Sequence, residues 1–194
     1  MNSNHDSSAL ASARPLSEAP DLAARAANLL RTPGALLNLT PEEATSVVAQ
    51  MRLVHFGSGV SLFREGDGMR LDHMLLLLDG EVSIDMAATG RADSVAISVV
   101  GPGSVIGEMA LLDGAPRSAN CTTVSAVRAA GLSRKGLEAL IDQQPRTAAK
   151  LLVGLGARIA ERLRALGDQL QMYATLVEDQ QRTIERLRST GLSG

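Results

Sequence analysis

The stretch Gly101-Pro102-Gly103-Ser104-Val105-Ile106-Gly107-Glu108-Met109-Ala110-Leu111-Leu112-Asp113-Gly114-Ala115-Pro116-Arg117-Ser118-Ala119 sets one carboxylate and one guanidinium on either side of a short apolar turn, behind a run of glycines. Lacking a Cβ, Gly107 lets the backbone approach a ligand closely. A helical turn starting there aims its first N–H groups outward, because the opening N–H groups of a helix have no intrahelical acceptor. Such a turn attracts anions. Arg117 adds a planar, charged fork that matches phosphate oxygens, and Glu108 adds an acceptor for ribose hydroxyls. Together these groups suit the sugar–phosphate end of a nucleotide. The glycine spacing is not the dinucleotide fingerprint: in Gly101-x-Gly103-x-x-x-Gly107 the third glycine comes one place late, and the flanks read as strands. No Walker-type G-x-x-x-x-G-K-[ST] occurs, so nothing supports triphosphate hydrolysis.

Around this stretch, from Leu53 to Leu132, the chain breaks into short β-type runs: Val60 to Phe63, Met74 to Leu78, Val82 to Met86, Val95 to Val99 and Cys121 to Val124. Gly57, Gly66, Gly80, Gly90, Gly101, Gly103 and Gly114 punctuate them, and this pattern predicts a sandwich, roll or barrel. With two Phe, one Tyr and no Trp, its core has to be filled by Leu, Val, Ile, Met and Ala. Helices bracket the β region. Thr40-Pro41-Glu42-Glu43 is a capping box with proline at N1, opening a helix to about Met51. Leu22, Leu29 and Leu30 give a weak apolar face that predicts a short helix at Asp21 to Arg31. The Ser-, Ala-, Asn- and Pro-rich stretch before it, to about Pro20, has the composition of a flexible tail. Downstream, Ser133 caps a helix to Asp142, and Pro145 starts a longer one to about Arg188.

In that last helix Ile159, Leu163, Leu166, Leu170, Tyr173, Val177, Ile184 and Leu187 occupy the a and d positions of one heptad register, broken by Gln180. So narrow a stripe predicts a coiled-coil seam, hence a homodimer, with Gln180 as a polar contact that sets the register. Gly154, Gly156 and Gly167 each weaken the helix by about 1 kcal/mol relative to alanine, which marks 154–156 as a hinge or a close backbone approach. The domain plan is a tail with a short helix at 1–35, a β-roll with flanking helices at 36–144, and a dimerising helix at 145–190.

Gly107-Glu108-Met109-Ala110-Leu111-Leu112 with Pro116-Arg117-Ser118-Ala119 resembles the phosphate-binding cassette of the cyclic-nucleotide-binding superfamily, which includes bacterial catabolite activator proteins and protein kinase A regulatory subunits. Leu62-Phe63-Arg64-Glu65-Gly66-Asp67 and Leu76-Leu77-Leu78-Asp79-Gly80-Glu81-Val82 resemble the family's first roll strands and turn glycines. The resemblance covers about Leu37 to Leu166. It implies a mainly β fold, a double-stranded β-helix of jelly-roll type followed by a long C-terminal coiled-coil helix. It also implies a ligand-binding set: Glu108 on the ribose 2′-hydroxyl, Arg117 on the cyclic phosphate, and the Gly107, Met109 and Ala110 backbone with the Ser118 hydroxyl completing the cradle. Asn120 and Cys121 depart from the family's usual Thr or Ser followed by Val, and Gly57-Ser58-Gly59 lacks a proline often found before the second strand. Where catabolite-activator-like proteins carry a small polar pair for adenine, this chain reads Arg158-Ile159-Ala160-Glu161-Arg162-Leu163. The expected ligand is cyclic AMP. Cyclic GMP and cyclic di-GMP remain alternatives, with Arg158 and Arg162 as candidate base contacts that can stack on guanine.

The bulk numbers narrow the rest. Nineteen basic and twenty-one acidic residues leave a formal charge of −2, so no global field favours nucleic acid or an anionic membrane. The heptads run almost to Gly194, where a winged helix-turn-helix would follow in the DNA-binding relatives, so direct DNA binding is not expected. His5, His55 and His73 are scattered and read as surface or edge residues, with no metal set. Ser104 and Ser118 lie in no nucleophile motif, and Cys121 reads as a small buried hydrophobe. No catalytic residue and no cofactor is expected. One cysteine, no signal peptide and no membrane span predict a cytoplasmic regulator. Its output would pass to an unidentified protein partner. The competing expectation is a structural adaptor, a non-binding roll whose coiled coil is the interaction surface.

Overall fold

A computed structural model describes residues 13–32, 39–68, 72–87 and 94–191; residues 1–12 of the expected tail, His5 and Gly90 lie outside them. Two compact units are present, Met1–Leu155 and Gly156–Gly194, and their boundary falls at the glycines that mark the expected hinge.

The first unit is organised by the run His73-Met74-Leu75-Leu76-Leu77-Leu78, which lacks the apolar–polar alternation of a half-exposed strand. It forms β3 (His73–Asp79), and every side chain from His73 to Leu78 is buried. Side chains alternate across a sheet, so such a strand has to be covered on both faces. Met74, Leu76 and Leu78 enter one apolar cluster, and Leu75 and Leu77 enter another. Around β3 stands an antiparallel sheet ordered β1 (Met51–Phe56), β8 (Val127–Ser133), β3, β6 (Val105–Ile106). The second sheet is ordered β2 (Ser61–Phe63), β7 (Asn120–Thr123), β4 (Val82–Ala87), β5 (Ser94–Val100). Leu62, Phe63, Val82, Ile84 and Cys121 of this sheet join Leu75, Leu77, Ile106 and Ala129 of the first in one cluster, a core made almost wholly of aliphatics.

Helices cover the other face of the first sheet: α1 (Pro20–Arg31), α2 (Pro41–Ala49), α3 (Glu108–Asp113), α4 (Arg134–Gln143) and the first turns, as far as Leu155, of α5 (Pro145–Gly191). The caps read from sequence are formed. Thr40 Oγ1 accepts from Glu43 N at 3.2 Å while a Glu43 carboxylate oxygen accepts from Thr40 N at 2.8 Å, and Ser133 Oγ accepts from Gly136 N at 3.1 Å. Glu43 also takes Lys150 Nζ at 2.6 Å, which ties the start of α2 to the first turns of α5. Ala148, Leu151 and Leu155 of α5 lie in the helix-side core. One stretch differs from its composition. Leu16, in a 3-10 turn (Leu16–Glu18), is fully buried in that core, and Pro15 bridges to Arg52 of β1, so the packed chain begins well before Pro20. A lone leucine among small polar residues carries no periodic signal; its burial depends on the surface that β1, α1 and α2 present to it.

Candidate functional site

Register delivers the central segment. β6 pairs Val105 and Ile106 with Leu76 and Leu75 of β3, and Gly103 N donates to Leu77 O while Leu77 N donates to Ser104 O, both at 2.9 Å. The chain then turns at Gly107, whose φ of +76° lies in the left-handed region, and enters α3. A Cβ at Gly107 would stand 2.6 Å from Arg117 Nη1 and 2.8 Å from the Phe63 ring, so glycine is required by both conformation and space. Gly114, also left-handed, ends α3, and the chain returns through Pro116 to Arg117.

Arg117 is held in a fixed place. Its backbone N–H donates to Asp67 O at 3.0 Å and its carbonyl accepts from Gly66 N at 2.8 Å, a short ladder with the turn after β2. Its side chain is 4% exposed, and Glu108 is 5% exposed. Both groups are thus buried. Nη1 donates to Gly107 O at 2.9 Å, and Nη2 donates to His73 O at 3.1 Å. The guanidinium carbon lies 3.9 Å above the Phe63 ring centroid. Burial pulls the guanidinium pKa down, while Cys121, Asp72, Asp67 and Glu108 act to raise it. A desolvated cation interacts more strongly with an incoming anion than a hydrated one does.

The other expected cradle residues lie alongside. Ala110 is buried, Met109 is at the surface, and Ser118 Oγ sits 3.7 Å from Met109 Sδ. Gly107, Glu108, Met109, Ala110, Arg117 and Ser118 thus come from one turn, the short helix α3 and the loop that leads from it to β7. Arg158 and Arg162 lie on α5 within the second unit. The departures from the family pattern have structural roles. Asn120 Oδ1 accepts from Glu65 N at 2.9 Å and its Nδ2 donates to Asp85 Oδ1 at 3.0 Å, joining the β2 turn to β4. Cys121 packs in the core between the sheets, as expected of a small hydrophobe.

The reading of His73 as an edge residue is overturned: it is 4% exposed and faces the site. Its Nδ1 lies 3.1 Å from Asp72 Oδ1, and its ring meets Phe63 at 5.5 Å between centroids. Burial acts to raise the Asp72 carboxyl, but the His73 hydrogen bond and the charges of His73 and Arg117 bring it below its ordinary value. Sequence did hold a signal for this. His73 shares the parity of Leu75 and Leu77 in a doubly buried strand, so it faces the core between the sheets. Among the described residues, no group of three or more His, Cys, Asp or Glu is placed to hold a metal, and no helix is long and apolar enough to cross a membrane.

Two stacked antiparallel sheets, with a glycine-capped turn that carries a buried carboxylate and leads to a desolvated arginine, make a β-roll of the double-stranded β-helix class. Residues 53–144 match the family described as "Cyclic nucleotide-binding domain", and the roll has the fold of that superfamily. It is 26% identical over 140 residues to a CRP-like cAMP-activated global transcriptional regulator of Mycobacterium tuberculosis, covering 72% of this chain and 61% of the relative. It is 31% identical over 124 residues to the cyclic AMP receptor protein of Thermus thermophilus, covering 63% of this chain and 56% of that protein. A crystal structure of a cyclic nucleotide-binding domain from Methylobacillus flagellatus superposes with a TM-score of 0.69 at 28% identity, covering 78% of this chain and 83% of the other. The chain therefore spans about three fifths of the length of the curated relatives it matches.

Proposed function

We propose that this protein is a non-enzymatic cyclic AMP sensor that works as a homodimer and passes ligand occupancy to a protein partner. The observation that carries the reading is the burial of Glu108 and Arg117 together at the Gly107 turn. Taking a cation and a carboxylate out of water is costly; as an anion and hydroxyl site they are preformed recognition groups. Arg117 pairs with the cyclic phosphate, Glu108 accepts from the ribose 2′-hydroxyl, and Gly107, Met109, Ala110 and Ser118 line the phosphate. The cyclic AMP assignment draws on the two curated relatives, both named for that ligand.

The dimer reading rests on the second unit. Leu163 and Leu170 are each 69% exposed, and Tyr173, Val177 and Ile184 of the same register are also exposed. A stripe of this kind along one helix is satisfied by a second copy in a coiled coil. Because α5 begins inside the helix-side core, ligand binding can bias it only by favouring one of two arrangements of that core, with a coupling of about 1–3 kcal/mol.

Calorimetry with cyclic AMP, cyclic GMP and cyclic di-GMP tests the reading. Cyclic AMP should bind most tightly, and Arg117→Ala should weaken it about 100-fold or more, since hydrogen bonds to charged groups are worth about 1.5–3 kcal/mol each. Unchanged affinity in Arg117→Ala removes the site. Failure of every cyclic nucleotide to bind or to raise the melting temperature would leave the adaptor reading in its place. Leu163→Glu with Leu170→Glu should convert the protein to a monomer in sedimentation, and a wild-type monomer refutes the dimer.

A further inference from the structure

Phe63 and His73 come from strands outside the glycine-led segment, yet both reach its arginine, one through its ring and the other through its main chain. Phe63 ends β2 and offers its ring face to the guanidinium, 3.9 Å from its centroid. His73 opens β3 and touches the same guanidinium through its main chain, accepting from Nη2 at 3.1 Å. Its ring packs against Phe63 with an interplanar angle of 50°. Asp72 accepts from the imidazole at Nδ1 and so limits its rotation. The guanidinium is thereby fixed on one face by an aromatic ring and at two of its nitrogens by carbonyls, those of Gly107 and His73.

We propose that His73 and Phe63 are positioning residues for Arg117: the imidazole, held by Asp72, sets the tilt of Phe63, and Phe63 with the His73 carbonyl sets the plane in which the guanidinium meets the phosphate. This rests on the cyclic-nucleotide reading of the site. The physical reason is preorganisation. A free arginine side chain samples many rotamers, and a planar fork recognises phosphate only in the right plane, so fixing it during folding removes that ordering cost from binding. Phe63 is suited to this because an aromatic face attracts a cation without competing for the in-plane N–H groups that an anion needs. The ring of His73 is the part that counts, since it touches Phe63; its main-chain acceptor survives substitution.

The test combines a binding cycle with a spectroscopic signature of the ligand-free protein. Cyclic AMP affinity is measured for wild type, His73→Ala, Arg117→Ala and the double variant, with His73→Phe as the ring-preserving control. His73→Ala should weaken binding about tenfold in the wild-type background and not at all in the Arg117→Ala background, and His73→Phe should recover most of the loss. Without ligand, the Arg117 guanidinium N–H resonances should be sharp in wild type and His73→Phe, and broadened in His73→Ala and Phe63→Leu. An equal loss on His73→Ala in both backgrounds, or guanidinium resonances unchanged in His73→Ala and Phe63→Leu, overturns the proposal. If wild type binds no cyclic nucleotide, the functional reading falls, while the resonances of the ligand-free protein still decide whether these two residues hold Arg117.

Discussion

Replacing Gly107 by alanine asks whether the turn is shaped around Arg117 or merely needs a flexible residue. A side chain in the left-handed region costs about 1–2 kcal/mol. The added Cβ would also lie 2.6 Å from Arg117 Nη1 and 2.8 and 2.9 Å from two carbons of Phe63. Carbon atoms pack best at about 3.5–4.0 Å, so the ring and guanidinium have to retreat by roughly 1 Å. That movement strains the 2.9 Å bond from Nη1 to Gly107 O and overpacks a buried site, adding about 1–3 kcal/mol. Gly114 is the internal control. It is equally left-handed at +70°, but the nearest atom to its added Cβ is Arg134 Nη2 at 4.0 Å, so Gly114→Ala should incur the backbone cost alone. Urea denaturation should therefore show Gly107→Ala less stable than Gly114→Ala by about 1–3 kcal/mol, and thermal melting should show it roughly 2–12 °C lower. Only Gly107→Ala should lose cyclic AMP affinity, by about tenfold or more, because only there is the guanidinium displaced. Equal stability and equal affinity in the two variants would refute the claim that Gly107 is reserved for the close approach of Arg117 and Phe63.

Asn120→Ala removes the acceptor for Glu65 N and the donor to Asp85, and should lower stability by about 1–2 kcal/mol in urea, whereas a wild-type midpoint would show that the β2 turn does not depend on it. Leu16→Ala empties a fully buried site and should cost about 2–5 kcal/mol; a cost near zero would place the segment outside the cooperative core. Acid should act through Glu43, whose carboxyl is held below the ordinary range first by the Lys150 hydrogen bond and then by the Thr40 N–H. A depressed folded pKa means the unfolded chain binds the proton more readily, so this stabilisation is present above the ordinary carboxylate range and is lost as pH falls through the folded value. Glu43→Gln should flatten that acid limb of the stability curve, and an unchanged limb would assign the loss to other carboxylates.

The parts legible in sequence are those set by neighbours along the chain. Thr40 with Glu43 and Ser133 with Gly136 build their caps within one turn, so the starts of α2 and α4 can be read directly. That Glu108 and Arg117 lie in one segment was legible for the same reason, since a single glycine-led stretch carries both. The heptad stripe of α5 is a repeat, and repeats need no tertiary context to be seen. Tertiary structure decided what lies across the sheets. His73 looked like an edge residue because it opens its run; the unbroken apolar stretch Met74–Leu78 does signal cover on both faces, but only the stacking of the second sheet puts His73 beside Phe63. Leu16 gave no periodic signal because its partners are β1, α1 and α2, and Asn120 became a bridge only where register brought Glu65 and Asp85 to it. Local hydrogen bonds and periodicity are short-range and written in consecutive residues, whereas burial depends on which distant surfaces meet, and that is fixed only once the whole roll has closed.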